Sequence, residues 1–442
     1  MVDKKCLTAL KRGVDSWNKW RKSDRYAQVD LRGINLSSET LLGIDFKGVN
    51  LAGANLVKCN FCGANFDGAD LTGANLTEAN FSGASLCGVA LTGAILTRIN
   101  CRGAESTGSN LSLANLTGAD LRVVDFRGAE LSGANLNQAN LNGASFIGAN
   151  LTNASLKLAQ LESTNFNHAN LAQADLTGAN LTNAYLEKAN LCEANLPKAI
   201  LYKTNLTQSD LTEANLSGSN LSNANLSQAD LALVNLAQAN LTRANLRQAN
   251  LYKTDINQAN LTQANLILAN LVLTKAWTAI FNQSILTGAC IENLQINRQT
   301  SFAKVVCQYL YLKQHQQERL PQNQQERLNS EQFKAVLQDL MDSVDLVFNE
   351  DLDWTVLLKA FESLQQKFSS HQIQLRSIKA NSNYRFTAKI KVTPKTETAA
   401  IGQYFRHQYN VLALTQEKLA SQQNTKIQAT ITRERLNSYE QN

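Results

Sequence analysis

Cys59 and Cys62 form a C-x-x-C motif in this 442-residue chain. That spacing serves disulfide exchange or, with a second Cys or His pair, tetrahedral zinc binding. The sequence has no second pair at ligand spacing. The five-residue register described below places Cys59 inside the core and Cys62 outside it. We therefore expect neither a metal site nor a cofactor.

An acidic cluster of Glu350, Asp351 and Asp353 lies between two predicted helices. Carboxylates are favoured where a helix starts, so we expect a structural role there. A metal-dependent activity in this C-terminal region is the lesser alternative. Of the four histidines, only His168 lies in the repeats, in an outward position, and nothing pairs it with a nucleophile. Neither a Gly-rich phosphate loop nor a G-x-S-x-G elbow occurs. The sequence thus predicts a non-enzymatic protein.

The formal net charge of +6 is unevenly distributed along the chain. Residues 1–28 carry 8 basic and 3 acidic side chains, residues 29–275 carry 15 and 18, and residues 276–442 carry 19 and 15. A phosphate-binding surface needs concentrated positive charge, which the long middle segment lacks. Nucleic acid is therefore disfavoured as a partner.

The length of apolar runs and the spacing of cysteines indicate a cellular location. The N-terminal segment has no apolar run typical of a signal peptide, and no stretch approaches the roughly 20 apolar residues that span a bilayer. The eight cysteines are irregularly spaced. We expect a cytoplasmic protein with free thiols and no membrane span.

A five-residue repeat dominates the chain. Leu, Phe or Ile recurs at every fifth position from Leu31 to Leu271, at 47 of 49 positions, with Cys101 and Ser106 as the exceptions. A small residue, usually Ala, lies two positions earlier, and Asn or Asp lies between them. The unit reads A-(N/D)-L-x-x, as in residues 54–58.

A period of five fits neither a helix nor a flat strand. It fits a backbone that turns a corner every five residues and pairs with coils above and below, which is a β-solenoid. When the residue numbers of the phenylalanines in the register are divided by 20, only two remainders occur, so these residues fall into two columns. Four sides per coil are therefore predicted, with about twelve coils in a rod about 60 Å long.

The A-(N/D)-L-x-x run resembles the pentapeptide-repeat family. That resemblance implies an all-β, right-handed quadrilateral β-helix, in which the bulky and small residues point inward. Residues 17–21 (WNKWR) are similar to a segment that precedes the repeats in bacterial members. The region after the repeats looks like one that follows them in cyanobacterial proteins, with no known activity.

Four segments are predicted. An N-terminal capping helix occupies residues 1–28, with its helix over 3–22, and the solenoid occupies residues 29–298. A connector with a Gln-rich linker follows over 299–330, and a small α+β domain over 331–442. Within that domain we expect helices at 331–348, around 354–368 and at 396–421, and a hairpin of strands near 371–379 and 384–393 turning at Asn381-Ser382-Asn383.

The outward positions carry candidate recognition residues. Arg102 and Arg122 lie 20 residues apart and should stack on one face, with Arg98 and Arg127 on the adjoining faces. They form a candidate basic patch for an acidic partner, with ordinary solvated charges as the alternative. The register lapse at Cys101 and Ser106 predicts a bulge or soft point over 95–110, which Ile95 and Ile99 refill.

These features favour a non-catalytic scaffold or regulatory binding protein that contacts another protein. Self-association through the C-terminal domain or a solenoid end is a second contact that this organisation allows. The family resemblance also implies an alternative, because some members mimic duplex DNA and modulate DNA gyrase or topoisomerase. Mimicry requires dense negative charge along the rod, whereas residues 29–275 carry a net charge of −3.

Overall fold

The structure is a computed structural model, and it describes residues 4–23, 28–341, 343–348, 353–368, 373–381, 385–392 and 400–415. The chain divides into two compact units, Met1–Leu328 and Asn329–Asn442. The first unit contains the repeats, and the second contains a small sheet with helices.

Residues 29–311 wind into a four-sided β-helix. Asp30 pairs in parallel with Asn50, and the same 20-residue step continues along the chain to Lys275 and Gln295. With few exceptions the bulky residue and the small residue are buried, and the other three positions are at least partly exposed. The predicted register and the four sides per coil are confirmed. We name the faces A, B, C and D; in the first coil they are centred on Leu31, Leu36, Leu41 and Phe46.

Backbone hydrogen bonds join each coil to its neighbours. On the side centred on Leu71, the central N–H donates to Ala90 O at 2.7 Å, and the Gly73 N–H donates to Thr92 O at 3.0 Å. The residue before the centre donates to the previous coil, and the first residue of the next side donates back to the central carbonyl. Four of the five N–H groups on this side therefore have backbone partners, as buried backbone requires.

Asn or Asp before the bulky residue accepts the fifth N–H. Asp70 Oδ1 accepts from Thr72 N at 2.9 Å. Where another residue type occupies that position, the previous coil can supply the acceptor: Asn137 Oδ1 accepts from Lys157 N at 2.8 Å. Within the described residues, seven backbone N–H groups are satisfied in this second way, those of Cys87, Lys157, Glu162, Glu187, Trp277, Ala303 and Gln308. The A-(N/D)-L pattern therefore has a physical cause, which is completion of each turn's hydrogen bonding.

Aromatic columns fill two faces of the core, as the spacing predicted. On face D, the ring of Phe146 stacks on Phe126 and on Phe166, with centroids 5.0 Å apart in both pairs. On face C, Phe61 and Phe81 lie 4.8 Å apart. Phe146 therefore lies between rings of the coils above and below it.

The register lapse leaves the backbone regular, because Glu105 pairs with Asp125 as in other coils. The predicted bulge is therefore wrong. The missing volume instead produces an internal cavity of about 20 Å³, lined by apolar side chains together with Cys101 and Ser106. The hydroxyls of Ser106 and Ser109 lie 2.8 Å apart, and Ser109 Oγ also donates to Ser106 O at 2.7 Å. Both hydroxyls thus have partners without a change of backbone path.

Of the two isoleucines that were expected to refill this space, only one does so. Ile99 is 1% exposed and lines the cavity. Ile95 is 42% exposed and lies outside the core, so its predicted role in refilling is wrong. Ile95 occupies the position before the bulky residue, and side chains at that position project outward.

We expect the coil around this cavity to open more readily than its neighbours. Amide hydrogen exchange over residues 95–110 should be faster than over residues 129–148, because a void loses contacts on one side of its lining. Ser106→Val should slow that exchange, since each added methyl group contributes about 0.8 kcal/mol. The Ser109 hydroxyl keeps its bond to the carbonyl of residue 106 in this variant. Equal exchange in the two segments of the wild-type protein would contradict the prediction.

Two short helices precede the solenoid. Helix α1 spans Lys4–Lys11 and helix α2 spans Val14–Ser23. The predicted continuous helix over 3–22 is wrong, because the chain turns at Gly13 with φ of +98°. That left-handed conformation is readily adopted by glycine, and it ends α1 there.

Side chains of α2 bond the open edge of face D. Trp17 Nε1 donates to Asp45 O at 2.7 Å, and Asn18 Oδ1 accepts from Asp45 N at 2.8 Å. Arg21 Nη2 donates to the carbonyl of Lys47. In later coils the equivalent groups of face D bond to the coil before. The W-N-x-W-R segment therefore takes the place of a missing coil at an otherwise open strand edge.

At the other end the coils continue past residue 298. Ile280 pairs with Ser301 and Cys290 with Tyr311, a step of 21 residues, so one extra residue interrupts the register. The ring of Phe302 stacks on Phe281 with centroids 4.8 Å apart. This insertion explains why the period vanishes from the sequence after Ile296 although the coil persists.

The segment predicted as a connector forms a hairpin instead. Strand β1, Leu310–Lys313, pairs antiparallel with strand β2, Gln317–Leu320. Because β1 continues the last coil, β2 covers its edge with an antiparallel strand. Arg319 lies over the ring of Tyr309 at 4.5 Å, and Leu328 N donates to Gln308 O at 2.7 Å.

The elements of the second unit are α3, Ser330–Met341; β3, Ser343–Phe348; α4, Trp354–Lys367; β4, Gln374–Asn381; and β5, Arg385–Lys391. The three strands form an antiparallel sheet in the order β3-β5-β4. Residues 400–415 form helix α5. The core combines Leu346 and Ile390 of the sheet with Leu357 and Leu364 of α4 and Phe405 of α5.

The prediction for residues 331–348 is half wrong, because the helix ends at Met341 and β3 follows. Val344 and Val347 extended the helical spacing, but valine is stiff at χ1 and favours strands. The predicted strand pair is confirmed as β4 and β5. Residues 382–384 of its turn, and the ends of the predicted helix over 396–421, lie outside the described residues.

Candidate interaction surface

The Asn and Asp side chains that precede the bulky residues, which we call the asparagine row, use many of their polar atoms within the solenoid. In most Asn or Asp residues that precede a bulky residue, Oδ1 accepts a hydrogen bond from the backbone N–H two residues later. Asn115 Oδ1 accepts from Thr117 N in this way, at 3.1 Å. Many of the amide nitrogens are also used: Asn80 Nδ2 donates to Asn60 Oδ1, and Asn100 Nδ2 to Asn80 Oδ1, each at 3.0 Å. The side chains left free of these internal bonds are therefore mainly those at the two positions after the bulky residue.

The four candidate arginines occupy those positions on adjoining faces. Arg98 lies at the corner that follows face B, Arg102 and Arg122 lie in successive coils of face C, and Arg127 lies on face D. The register therefore brings them into one region, which we call the arginine cluster. Arg98, Arg102 and Arg127 are exposed, and Arg122 is partly exposed.

Three members of the arginine cluster already have carboxylate partners. Arg98 pairs with Glu78, Arg122 with Asp120 and Arg127 with Asp125, each with a nitrogen–oxygen distance of 2.6 Å. Exposed pairs of this kind stabilise little, at about 0–1 kcal/mol. They do change the surface, because charge-balanced pairs replace the expected net positive patch.

Hydrogen bonding from the arginines favours the ionised form of these carboxylates. Hydrogen bonds from Arg122 lower the pKa of Asp120, and those from Arg127 lower the pKa of Asp125; partial burial opposes both shifts. The carboxylates therefore stay ionised at neutral pH. Within the described residues, Arg102 forms no salt bridge, and its guanidinium is the member of the cluster most available to a partner.

Side-chain ladders follow the solenoid axis elsewhere. Gln208 donates to Gln228 at 2.6 Å, and Gln228 donates to Gln248 at 3.2 Å, which forms a glutamine ladder. Lys203 and Lys253 each lie over the tyrosine before them, at 5.2 Å and 5.1 Å. The 50 residues between these pairs place one on face C and the other on face A, on opposite sides of the coil.

The C-x-x-C motif does not converge on a site. Cys59 is buried and its Sγ donates to Leu36 O at 2.7 Å, whereas Cys62 is exposed on face C. The two thiols therefore lie on opposite sides of the wall. Burial also raises the pKa of Cys101 to about 12, so this core thiol is not a nucleophile.

Asp353 starts a helix, as the sequence indicated. Its carboxylate accepts hydrogen bonds from Thr355 N at 2.8 Å and Val356 N at 3.1 Å at the first turn of α4. Glu350 and Asp351 lie outside the described residues. In the part of the chain that the structure describes, no three Cys, His, Asp or Glu side chains could hold a metal ion.

Sequence reasoning missed one concave feature. An open groove of about 580 Å³ lies between α1 and α2. Its lining residues include Arg12, Lys19 and Trp20. The available signal was Gly13, which folds the two helices against each other; reading residues 3–22 as one helix concealed the groove. Among the described residues, no helix has the length and apolar character needed to cross a membrane.

A long four-sided coil with self-satisfied backbone and outward side-chain columns defines the class of β-helical repeat proteins. The profile described as Pentapeptide repeats matches eight copies within residues 27–133 and 193–266, and Pentapeptide repeat region matches residues 119–196. Together they cover residues 27–266, more than half of the chain. The chain belongs to the pentapeptide-repeat family, and its solenoid is accordingly a right-handed β-helix.

Three solved structures illustrate the similarity. HetL, a pentapeptide repeat protein involved in heterocyst differentiation regulation in the cyanobacterium Nostoc sp. strain PCC 7120, is 29% identical; the match covers 55% of this chain and 96% of HetL, with a TM-score of 0.42. Full-length QnrB1, a plasmid-mediated fluoroquinolone resistance protein, is 17% identical over 52% and 93%, with a TM-score of 0.24. Rfr23 of the cyanobacterium Cyanothece 51142 is 29% identical over 28% and 59%, with a TM-score of 0.09. No curated protein sequence matches the chain.

Proposed function

We propose that this protein is a non-catalytic scaffold or regulatory binding protein whose solenoid contacts another protein. The observation that carries the proposal is that, on each side of the coil, some positions bond internally while others stay exposed. The asparagine row and the backbone bond to each other, which leaves the two following positions to present side chains in axial columns. Such a surface suits recognition and contributes no reacting group.

The arginine cluster is the contact region that we propose for this partner. Its paired arginines give a surface of alternating charge, which suits a protein partner with its own mixed charges better than a phosphate backbone. Arg102 supplies an additional positive charge at its centre. Arginine is enriched among the residues that carry binding energy in protein interfaces.

The charge arrangement argues against mimicry of duplex DNA. A mimic needs continuous negative charge, whereas Arg98, Arg122 and Arg127 neutralise carboxylates along the rod. We also propose a cytoplasmic location. It is supported by thiols that form no disulfide, those of Cys59, Cys62, Cys87, Cys101, Cys192, Cys290 and Cys307.

Affinity purification of the full chain from its source cell, with mass spectrometry, tests the scaffold. Arg102→Glu should lower recovery of the bound protein about tenfold, because it reverses the free charge of the arginine cluster. Arg247→Glu is the matched control, since Arg247 is also exposed directly after a bulky residue but lies on face D, many coils away. Its recovery should equal wild type.

Two results would contradict these proposals. If the wild-type chain recovers nothing above background and light scattering shows it to be monomeric, the scaffold proposal fails. If Arg102→Glu and wild type recover the same protein equally, the arginine cluster is not the contact. Light scattering that shows a defined oligomer would assign the contact to self-association instead.

A further inference from the structure

Helix α2 presents two different faces. Trp17, Asn18 and Arg21 bond or pack against the first coil on one face. Ser16, Lys19, Trp20 and Ser23 follow at helical spacing on another face, and they line the groove with α1. The exposures agree, because Trp17 is fully buried while Trp20 is half-buried. Trp20 also contacts Trp17, with ring centroids 5.3 Å apart, so the second face lines the groove and lies directly behind the docked tryptophan.

The groove has a cationic lining. Its volume is about 580 Å³, and its lining residues are Thr8, Ala9, Arg12, Ser16, Lys19, Trp20 and Ser23. The set contains two cations, three hydroxyls and one indole, and it contains no carboxylate. A concavity of this size lies within the range of roughly 300–1,000 Å³ that ligand sites occupy.

The two cations are available for a ligand. Arg12 and Lys19 are exposed, and neither forms a salt bridge within the described residues. Asp15 lies four residues before Lys19 and is the one acidic residue among residues 6–23, which contain five basic ones: Lys11, Arg12, Lys19, Arg21 and Lys22. The groove therefore lies at the most positive part of the first unit, beside a nearly neutral solenoid.

We propose that this groove binds an acidic segment of a partner protein. Carboxylates of that segment pair with Arg12 and Lys19, and an apolar or aromatic side chain between them packs on the indole of Trp20. Arginine pairs with carboxylates in bidentate geometry, and the tryptophan face adds apolar contact area. The inference rests on the proposed scaffold function and names a second contact, distinct from the arginine cluster.

An acidic peptide fits this site better than an anionic membrane. Helices that bind at a bilayer surface insert apolar side chains below the headgroups. On these two helices Cys6, Leu10 and Trp17 are buried, so they cannot be inserted without undocking. A concave groove with separated cations instead suits a short stretch of chain.

Fluorescence anisotropy of the full-length protein tests the site at low salt. The probe is fluorescein-labelled Glu-Glu-Phe-Glu-Glu, and its neutral counterpart Gln-Gln-Phe-Gln-Gln is the matched control peptide. The double variant Arg12→Glu/Lys19→Glu should bind the acidic probe about tenfold or more weakly than wild type, a difference of about 1.4 kcal/mol. Lys11→Glu/Lys22→Glu makes the same charge change outside the groove and should stay within about threefold. Circular dichroism melting of both double variants verifies that the fold is intact.

Four outcomes would overturn the proposal. These are no saturable binding of the acidic probe to wild type, equal binding of the neutral peptide, and an equal loss in both double variants. The fourth is binding to phosphatidylserine vesicles without binding to the peptide, which assigns the charge to a lipid surface. Partner purification separates the two hypotheses: an unchanged set of proteins with Arg12→Glu/Lys19→Glu refutes the groove and leaves the scaffold intact, whereas an empty wild-type purification refutes the scaffold.

Discussion

Replacing Trp17 with alanine should open the N-terminal end of the solenoid and cost about 3–5 kcal/mol, the usual range for a buried tryptophan. Trp17 is 0% exposed, and its ring meets Phe46 edge-on with centroids 5.2 Å apart. Its Nε1 also donates to Asp45 O. The substitution therefore removes apolar packing and leaves a carbonyl of the first coil without its partner.

The effect should be greatest in the first coil. A solenoid is stabilised by contacts between neighbouring coils, so an uncapped end frays before the middle does. Amide hydrogen exchange over residues 29–48 should accelerate about a hundredfold or more, and exchange over residues 129–148 should change little. The Asp45 amide is a sensitive probe, because it donates to Asn18 of the same helix.

The same substitution at an exposed site is the control. Trp354 is 54% exposed at the start of α4, so Trp354→Ala should leave exchange over residues 29–48 unchanged. Asn18→Ala isolates the hydrogen-bonding part, since Asn18 accepts from Asp45 N and donates to Gly43 O at 3.0 Å. We expect an intermediate acceleration for it. Wild-type exchange in Trp17→Ala would show that α2 does not close this end.

The solenoid was predictable because one pattern repeats with little interruption. Leu136, Leu141 and Phe146 are all 0% exposed, as the five-residue period requires. The reason for the asparagine row needed the structure, because a period shows that a residue recurs without showing which N–H its side chain accepts. The places where the previous coil supplies that acceptor follow the step of 20 residues, or 21 after the insertion, and could not be found before that step was known.

Where the period ended, prediction became less reliable. One inserted residue between Ile296 and Ser301 concealed the last turns of the coil, although Phe302 still stacks on Phe281. The positions of Val344 and Val347 fit the spacing of a helix, although valine favours strands, and the sequence alone did not decide between the two structures. Tertiary pairing with β5 determines the strand.

The pairing of the arginine cluster could have been predicted. In a strand, residues two apart project to the same side, so the Asp and Arg of a D-L-R or D-F-R segment are neighbours. Asp120–Arg122 and Asp125–Arg127 both follow this rule, as do Asp30 and Arg32. Reading the arginines apart from their own strands produced a basic patch. The salt bridge of Arg98 to Glu78 spans coils and required the 20-residue step.

Phe146→Ala should destabilise the middle of the solenoid by about 3–5 kcal/mol. The Phe146 ring lies between Phe126 and Phe166 at interplanar angles of 19° and 11°, so its removal leaves a cavity and separates two rings that remain. Exchange should accelerate over residues 129–168 on both sides of the cavity. The effect should exceed that of the natural lapse at Ser106, where Ile99 already fills part of the space.

Two further variants distinguish the effect of side-chain volume at position 146 from the effect of a change at the neighbouring exposed position. Phe146→Leu should cost about 1 kcal/mol, because Leu186 and Leu206 occupy the same column of face D and the coil accepts leucine there. Ile147→Ala changes the adjacent side chain, which is 38% exposed, and should cost well under 1 kcal/mol. The expected order of melting temperatures is therefore Ile147→Ala, then Phe146→Leu, then Phe146→Ala as the lowest. If Ile147→Ala melts below Phe146→Ala, the side chain of residue 146 does not lie inside the coil, and the inward register on which the columns depend is wrong.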